Sequence, residues 1–242
     1  MRITGDSSFR SVFLKSLTVR WQSIEHVFLD MDGTLLDLRF DNRFWQEAVP
    51  RRYARRNRVS VADAKKLLES RFKAMEGRME WYCLDHWSRE LELDIAALKT
   101  EFSSRIAILP HASTFLEAVR HAGKSLVLVT NAHPKSVRLK LEKTGLGDFF
   151  DAIVCAHDLG RPKEEPPFWT RLQEIEPFDP NRTLLVDDSL PVLRSARCYG
   201  VQYLIAVKKP DSARQAMEID GFPAMCDFRE LMPVSAVSAA AP

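Results

Sequence analysis

The stretch VFLDMDGTLLDL carries two aspartates with one residue between them, Asp30 and Asp32, followed by Gly33 and Thr34. At the end of a strand those two carboxylates leave on the same side while Met31 points away. Gly33 lets the backbone turn sharply and bring its amides forward, and the Thr34 hydroxyl can tie that turn together. Further along, LVLVTNA ends on Thr130 and Asn131, GRPKEEP places Lys163 in a Gly/Pro-rich loop, and TLLVDDS ends on Asp187 and Asp188. Asp and Gly after a strand often make only a turn. The recurrence of the same kind of chemistry at several strand ends favours a site.

Brought to one place, these four carboxylates and one ammonium group would raise each other's pKa or push the site open unless a cation joined them. Oxygen ligands with no His or Cys beside them select a hard ion. Mg²⁺, which keeps waters and holds phosphate oxygens, fits better than zinc. The cluster reads as half of a metal site whose other ligand is an anion.

The elements that must position these residues are legible in the apolar pattern. Short runs at Val27 to Leu29, Leu126 to Val129, Ala152 to Cys155 and Thr183 to Val186, and a fifth at Val201 to Val207, are each bounded by turn residues and separated by helical pattern. Continuous apolarity without alternation predicts strands covered on both faces, joined by right-handed crossovers. Ligands of such sheets gather at the carboxyl ends of the strands. HASTFLEAVRHAG, KSVRLKLEKTG and PVLRSARCYG each end on a glycine placed to stop a helix. Between Asp37 and Leu109 only helical pattern appears. There Ser60 with Asp63 resembles a capping box, Val61, Ala64, Leu67, Leu68, Phe72 and Met75 follow helical spacing, and Asp94 can cap another helix.

The expected fold is therefore α/β: a Rossmann-like parallel sheet core flanked by helices, with an α-helical cap inserted after the first strand. The expected division is an N-terminal extension at 1–22, the core at 23–36 and 110–230, the cap at 37–109 and a tail at 231–242. The chain of 242 residues is 45% hydrophobic, enough for a real core, and 35 basic residues nearly balance 33 acidic ones. That balance gives no reason to expect nucleic-acid or membrane binding, and no apolar run approaches the roughly 20 residues a bilayer span needs. The basic run Arg51 to Arg58 reads as a solvated helix end, since holding a polyanion takes several phosphate contacts. Cys83, Cys155, Cys198 and Cys226 form no CxxC pair and lie in apolar stretches, so buried thiols in a reducing cytoplasm are expected. The basic, acid-poor start reads as an extended or misassigned N-terminus, with an organelle transit peptide as the alternative.

In order and in combination, DMDGT, the Thr130/Asn131 strand end, Lys163 and the Asp187/Asp188 doublet resemble the motifs of the haloacid dehalogenase-like superfamily of phosphohydrolases. The resemblance spans Val27 to Val207. It implies that Asp30 is the nucleophile that becomes an aspartyl-phosphate. Asp32 would protonate the leaving group and then draw a proton from the hydrolytic water. Thr130, Asn131 and Lys163 would hold the phosphate. Asp30, the Asp32 backbone carbonyl, Asp187 and Asp188 would hold Mg²⁺, the order within the doublet being open. Many relatives place proline after the motif lysine, where this chain has Glu164. Dehalogenases generally lack an acid two residues after the nucleophile, so Asp32 favours phosphate chemistry.

The cap stretches LLDLRFDNRFWQEAVP and WYCLDHWSRELELD, with LVTNAHP and VDDS, resemble the bacterial GMP/IMP nucleotidase group, which implies a purine 5′-nucleotide as the small-molecule phosphate monoester. A broad sugar-phosphate phosphatase or a phosphomutase uses the same core motifs and remains the alternative. A phosphorylation-dependent signalling module is more remote, since receivers place the acceptor on a later strand and need no helical insert. Within the insert, Phe44, Trp45 or Tyr82 could stack on a purine, and Arg39 or Arg43 could meet phosphate or the guanine edge; for Arg39, Arg43 and Trp45 a solvated or packed role stays equally open. Trp81, Leu84, Trp87 and Leu91 share a helical face and read as packing. His133 follows the phosphate-binding pair and approaches the substrate in this reading, while His86 and His157 read as structural. A monomer or homodimer is expected.

Overall fold

The structure, a computed structural model, describes Leu17 and residues 19–236. The expected N-terminal extension and the end of the expected tail fall largely outside those residues. Strands β1 (His26–Leu29), β2 (Ser125–Thr130), β3 (Ala152–Cys155), β4 (Thr183–Asp187), β5 (Tyr203–Val207) and β6 (Ala224–Met225) form one parallel sheet in the order β3-β2-β1-β4-β5-β6. Only β6 lacks a sequence signal, because two residues in a loop carry no apolar run. In register, Leu29 stands opposite Leu128 of β2 and Val186 of β4. Asp30 and Asp187 therefore leave the sheet at the same level, on adjacent central strands.

The two faces of the sheet are covered by different sets of side chains, as strand alternation demands. Val27, Leu29, Leu126, Leu128, Leu184 and Val186 pack on one face with Phe115, Leu116 and Val119 of α7 (Ala112–His121). Phe28, Val127, Val129 and Leu185 pack on the other with residues of α10 (Pro166–Ile175) and α11 (Leu190–Tyr199), among them Phe168, Trp169 and Leu193. Each fully buried apolar side chain contributes about 1.5–3 kcal/mol relative to exposure. Helix α8 (Pro134–Thr144) follows β2, and the short α9 (Ala156–Leu159) follows β3.

Trp21 and Leu231, which fall in the expected extension and tail, are both buried, and Trp21 Nε1 donates to the Leu231 carbonyl. The apolar core thus draws in residues beyond 23 and 230. The cysteine expectation needs a correction. Cys155 is buried and Cys83 half-buried, but Cys198 and Cys226 are exposed. Cys198 lies on the outer side of α11, whose inner side is taken by Val192, Leu193, Ser195 and Ala196.

Between β1 and α7 the chain is helical: α1 (Arg39–Arg43), a π-helical segment at Phe44–Ala48, α2 (Val49–Asn57), α3 (Val61–Met75), α4 (Met79–Tyr82), α5 (Leu84–Leu91) and α6 (Ile95–Glu101). Pro50 lacks the N–H that would bond the Gln46 carbonyl, and its ring crowds that oxygen, which accounts for the widened turn. Ser60 Oγ accepts from the Asp63 amide and Asp94 Oδ1 from the Ala97 amide, so both expected caps form. These helices close on their own core of Phe44, Val49, Leu68, Leu84, Trp87, Leu91, Ile95 and Leu98. The two linkers between cap and core run side by side, with the Asp37 amide bonded to the Ala107 carbonyl and the Leu109 amide to the Leu35 carbonyl. Among the described residues, no helix is long and apolar enough to cross a membrane.

Candidate active site

Asp30, Asp32, Thr130, Asn131, Lys163, Asp187 and Asp188 all line one cavity of about 840 Å³ between the sheet edge and the cap. The tip of β1 is a tight turn in which the Leu35 and Leu36 amides both bond the Met31 carbonyl and the Gly33 amide bonds the Leu36 carbonyl. Gly33 has φ +86°, and a Cβ there would overlap the Asp188 carboxylate, so glycine is what lets the doublet approach the turn. The Thr34 hydroxyl is buried without a hydrogen-bond partner, so main-chain bonds hold the turn instead of the expected side chain.

Lys163 is the hub of the site. Its ammonium donates to Asp30 Oδ1 at 2.5 Å, Asp187 Oδ2 at 2.7 Å and the Val129 carbonyl at 2.9 Å. Burial would lower its pKa, but Asp187 and Asp30 outweigh that and hold it above the ordinary lysine range. Asn131 Oδ1 accepts from the Lys163 amide at 2.9 Å and so fixes the loop that delivers the lysine. Its Nδ2 donates to Glu164 Oε2, whose partner oxygen accepts from Tyr82 Oη of the cap at 2.6 Å. Glu164, at the place of the expected proline, therefore links the core to the cap. Thr130 Oγ1 accepts from the Ala132 amide, and Asp187 Oδ1 from the Ser189 amide.

Asp30, Asp187 and Asp188 each bring a carboxylate oxygen within 4.8 Å of the others. Burial pushes Asp30 up to about 6, with Lys163 opposing and Asp187 reinforcing the shift. Asp188 is raised well above the carboxylate range, by burial first and then by the nearby Asp30 and Asp187. Among the described residues, no lysine, arginine or histidine pairs with Asp188. A buried all-oxygen triad with one carboxylate outside these ion pairs has the donor chemistry of a site for a hard divalent cation.

The Asp32 carboxylate stands apart from that triad. It accepts from Lys140 Nζ at 2.6 Å, and the same ammonium donates to Asp41 Oδ2 at 2.6 Å. Lys99 Nζ donates to the second Asp41 oxygen at 2.7 Å. A chain of four charged groups thus runs from the turn after β1 through α8 of the core into α1 and α6 of the cap. Burial lifts Asp32 to about 6, helped by Asp41 and opposed by Lys140. Burial acts upward on Asp41 as well, but Lys140 and Lys99 together bring it down to about 2. Sequence reasoning missed Lys140, Asp41 and Lys99. The available signal was Lys140 on the buried stripe of α8, three residues after Val137 and four after Ser136.

The cap wall of the cavity is aromatic, with contributions from Trp45, Phe72, Trp81, Tyr82 and Trp87, and its polar members include Gln46, Glu69, Glu76 and Lys73. Phe44 is buried inside the cap core, and Arg39 and Arg43 are exposed away from the cavity, so none of these three is placed to meet a ligand. The inner face of α1 is taken instead by Phe40 and Asp41. Trp81 and Trp87, expected as packing, combine both positions. The arginines between Arg51 and Arg58 are exposed, and Arg52 pairs with Glu101 and Arg56 with Glu92.

Comparison with known proteins gives this cavity a context. The family model described as haloacid dehalogenase-like hydrolase matches residues 24–200. The GMP/IMP nucleotidase YrfG of Escherichia coli K12 is 39% identical over 217 residues, which cover 90% of this chain and 98% of that protein. The pyrimidine 5′-nucleotidase YjjG of the same organism is 28% identical over 110 residues, 43% of this chain and 48% of that protein. Among solved structures, a HAD phosphatase from Thermococcus onnurineus shares the fold with TM-score 0.72 at 23% identity, covering 86% of this chain and 96% of its own. From the match over most of its length, this chain belongs to the haloacid dehalogenase-like hydrolase family.

Proposed function

We propose that this hydrolase removes the phosphate from purine nucleoside 5′-monophosphates, with GMP and IMP as substrates, through a phosphoenzyme on Asp30. The observation that carries the reading is the division of labour between two neighbouring carboxylates. Asp30 is held by Lys163 beside Asp187 and Asp188, while Asp32 is held by Lys140 on a separate network. Asp30 is the nucleophile: its oxygen forms a bond to phosphorus as the bond to the ribose oxygen breaks. Asp32, raised to about 6, gives its proton to that leaving oxygen. Water then attacks the phosphorus, Asp32 takes the water proton, and Asp30 is released with inorganic phosphate. Thr130, Asn131 and Lys163 position the phosphate oxygens and offset their charge.

Mg²⁺ is the cation this reading requires. Asp30, Asp187, Asp188 and the Asp32 main-chain carbonyl would hold it, and when bound it supplies positive charge against the phosphate oxygens. The purine assignment draws on the likeness to YrfG along nearly the whole length of both chains. The cavity volume suits a nucleotide, and its aromatic wall offers faces for a base. Glu69 and Glu76 offer acceptors for the N1–H that guanine and hypoxanthine share.

Phosphate release from GMP, IMP, AMP, UMP, CMP and glucose 6-phosphate, measured with Mg²⁺, tests this directly. GMP and IMP are expected to give the highest kcat/KM, with turnover stopped by EDTA and abolished in Asp30→Asn. Equal rates across the panel would replace the nucleotidase with a generalist phosphatase, and unchanged turnover in chelator would remove the metal.

A further inference from the structure

Cys83, His133 and His157 bring one ligand atom each within 4.8 Å of the others, and they come from both sides of the cavity. Cys83 joins α4 to α5 in the cap. His133 caps α8 after β2, and His157 lies in α9 after β3. The imidazole rings of His133 and His157 stand 4.9 Å apart at 77°. None of the three belongs to the acidic triad.

We propose that these three side chains form a binding site for a transition metal of the zinc class, bridging cap and core. The hydrogen-bond inventory favours it. Both ring nitrogens of His157 are buried with no partner, an arrangement in which a polar ring waits for a ligand. His133 Nδ1 accepts only a long bond, 3.3 Å, from the Lys135 amide, and its Nε2 lies 3.6 Å from Asp85 Oδ2, beyond hydrogen-bond distance. Either nitrogen of His133 can carry the proton of the neutral ring and leave the other for a metal. Cys83 Sγ accepts the His86 amide at 3.3 Å, a bond that orients the sulfur and leaves further lone pairs. Burial keeps His157 neutral, its pKa lowered to about 4, with His133 adding to the shift.

Two imidazoles and a thiolate select a borderline-soft ion and give little to Mg²⁺. Tetrahedral zinc with bonds of about 2.0–2.3 Å sets its ligand atoms roughly 3.3–3.8 Å apart, so closing this cluster takes about 1 Å of movement. Binding displaces the Cys83 thiol proton to solvent, and water completes the coordination. Tyr82 and Leu84 flank Cys83 and line the catalytic cavity, as His133 does, so an ion here fastens the cavity's edge. The expected effect is that the bound ion holds the cap against the core.

The test is a Co²⁺ titration of the full chain with Mg²⁺ in excess to fill the acidic triad. The wild type is expected to develop a near-ultraviolet thiolate-to-Co²⁺ charge-transfer band saturating at one ion per chain. Carboxylate-bound Co²⁺ gives no such band. Cys83→Ser should lose it, and His157→Ala should weaken Co²⁺ binding by at least about tenfold. Hydrogen exchange of the α5 amides should slow on adding Zn²⁺ in the wild type and stay unchanged in Cys83→Ser. A wild type without the band, or a band that persists in Cys83→Ser, overturns the site. Equal exchange in both proteins overturns the bridge.

Discussion

Lys140 Nζ lies 2.6 Å from Asp32 Oδ1 although 108 residues separate them in sequence, and the lysine is fully buried. Its other partner, Asp41, belongs to the cap and is itself paired with Lys99. The carboxylate proposed to move protons is thus tied by one ammonium to the helices that cover the site. An ammonium on a buried carboxylate favours its charged form, while burial and Asp41 favour the neutral one. The balance leaves Asp32 near the pH at which it can both give and take a proton.

Lys140→Met removes that ammonium from between two carboxylates. The expected result is a fall in kcat of about a hundredfold with KM for GMP little changed. The Asp32 limb of the pH–rate profile should move upward, because burial and Asp41 would then be opposed only by the more distant Lys99. Lys140→Arg, which keeps the charge, should recover part of kcat. A profile whose limb stays in place while kcat falls would reduce Lys140 to a structural role.

The difference between what was legible and what was hidden follows from how each residue is presented. DMDGT and the Asp187/Asp188 doublet end apolar runs, so strand pattern and chemistry point to the same place. Lys163 was found because a lysine in a Gly/Pro-rich loop after β3 must emerge at that same edge. Lys140, Asp41 and Lys99 sit in helices, where a lone charge ordinarily faces water, and their pairing depends on how the cap docks. The choice between ligand contact and solvent for Arg39 and Arg43 was hidden for the same reason: being near DMDGT in sequence does not fix which side of α1 faces the cavity. β6 is too short to carry any pattern.

Gly33→Ala is expected to impair metal binding more than folding alone explains. Gly33 and Gly145 both have positive φ, +86° and +69°, but a Cβ at Gly145 meets nothing within 4 Å while one at Gly33 meets the Asp188 carboxylate. Gly145→Ala should therefore cost about 1 kcal/mol of stability with normal activity. Gly33→Ala should carry a similar strain and also weaken Mg²⁺ affinity, read as a higher Mg²⁺ concentration for half-maximal turnover. Equal Mg²⁺ dependence in the two variants would refute the role given to the turn.

Trp45 offers a test of base recognition. It lines the cavity and packs edge-on against Phe72, with ring centroids 5.4 Å apart at 79°. Base–aromatic stacking contributes about 1–3 kcal/mol, so Trp45→Ala should raise KM for GMP roughly tenfold or more while kcat changes little. Trp45→Phe should retain most of the affinity. Glucose 6-phosphate, lacking a base, should be hydrolysed equally by wild type and Trp45→Ala; a parallel loss on both substrates would show that Trp45 only supports the cap.

The acidic triad makes the metal-free protein sensitive to pH in a direction opposite to an ordinary ion pair. Asp30 is raised by burial to about 6, above an unfolded value of about 3.9. Between those values the folded chain binds more protons than the unfolded one, so stability falls as pH rises through that window. Asp188 and Asp187, raised for the same first reason, act in the same direction. Asp41, lowered to about 2, acts in a separate window and loses its contribution only as pH falls from about 4 toward 2. A divalent cation held by the triad would bind its deprotonated form, so the gain in Tm on adding Mg²⁺ should be larger at about pH 7.5 than at about pH 5. Asp188→Asn, which replaces the unpaired carboxylate by a neutral group of the same shape, should raise the Tm of the metal-free protein at about pH 7.5 and abolish the Mg²⁺ gain. Thermal melts of wild type and variant at the two pH values decide it, and a Mg²⁺ gain independent of pH would mean that the cation does not bind the triad.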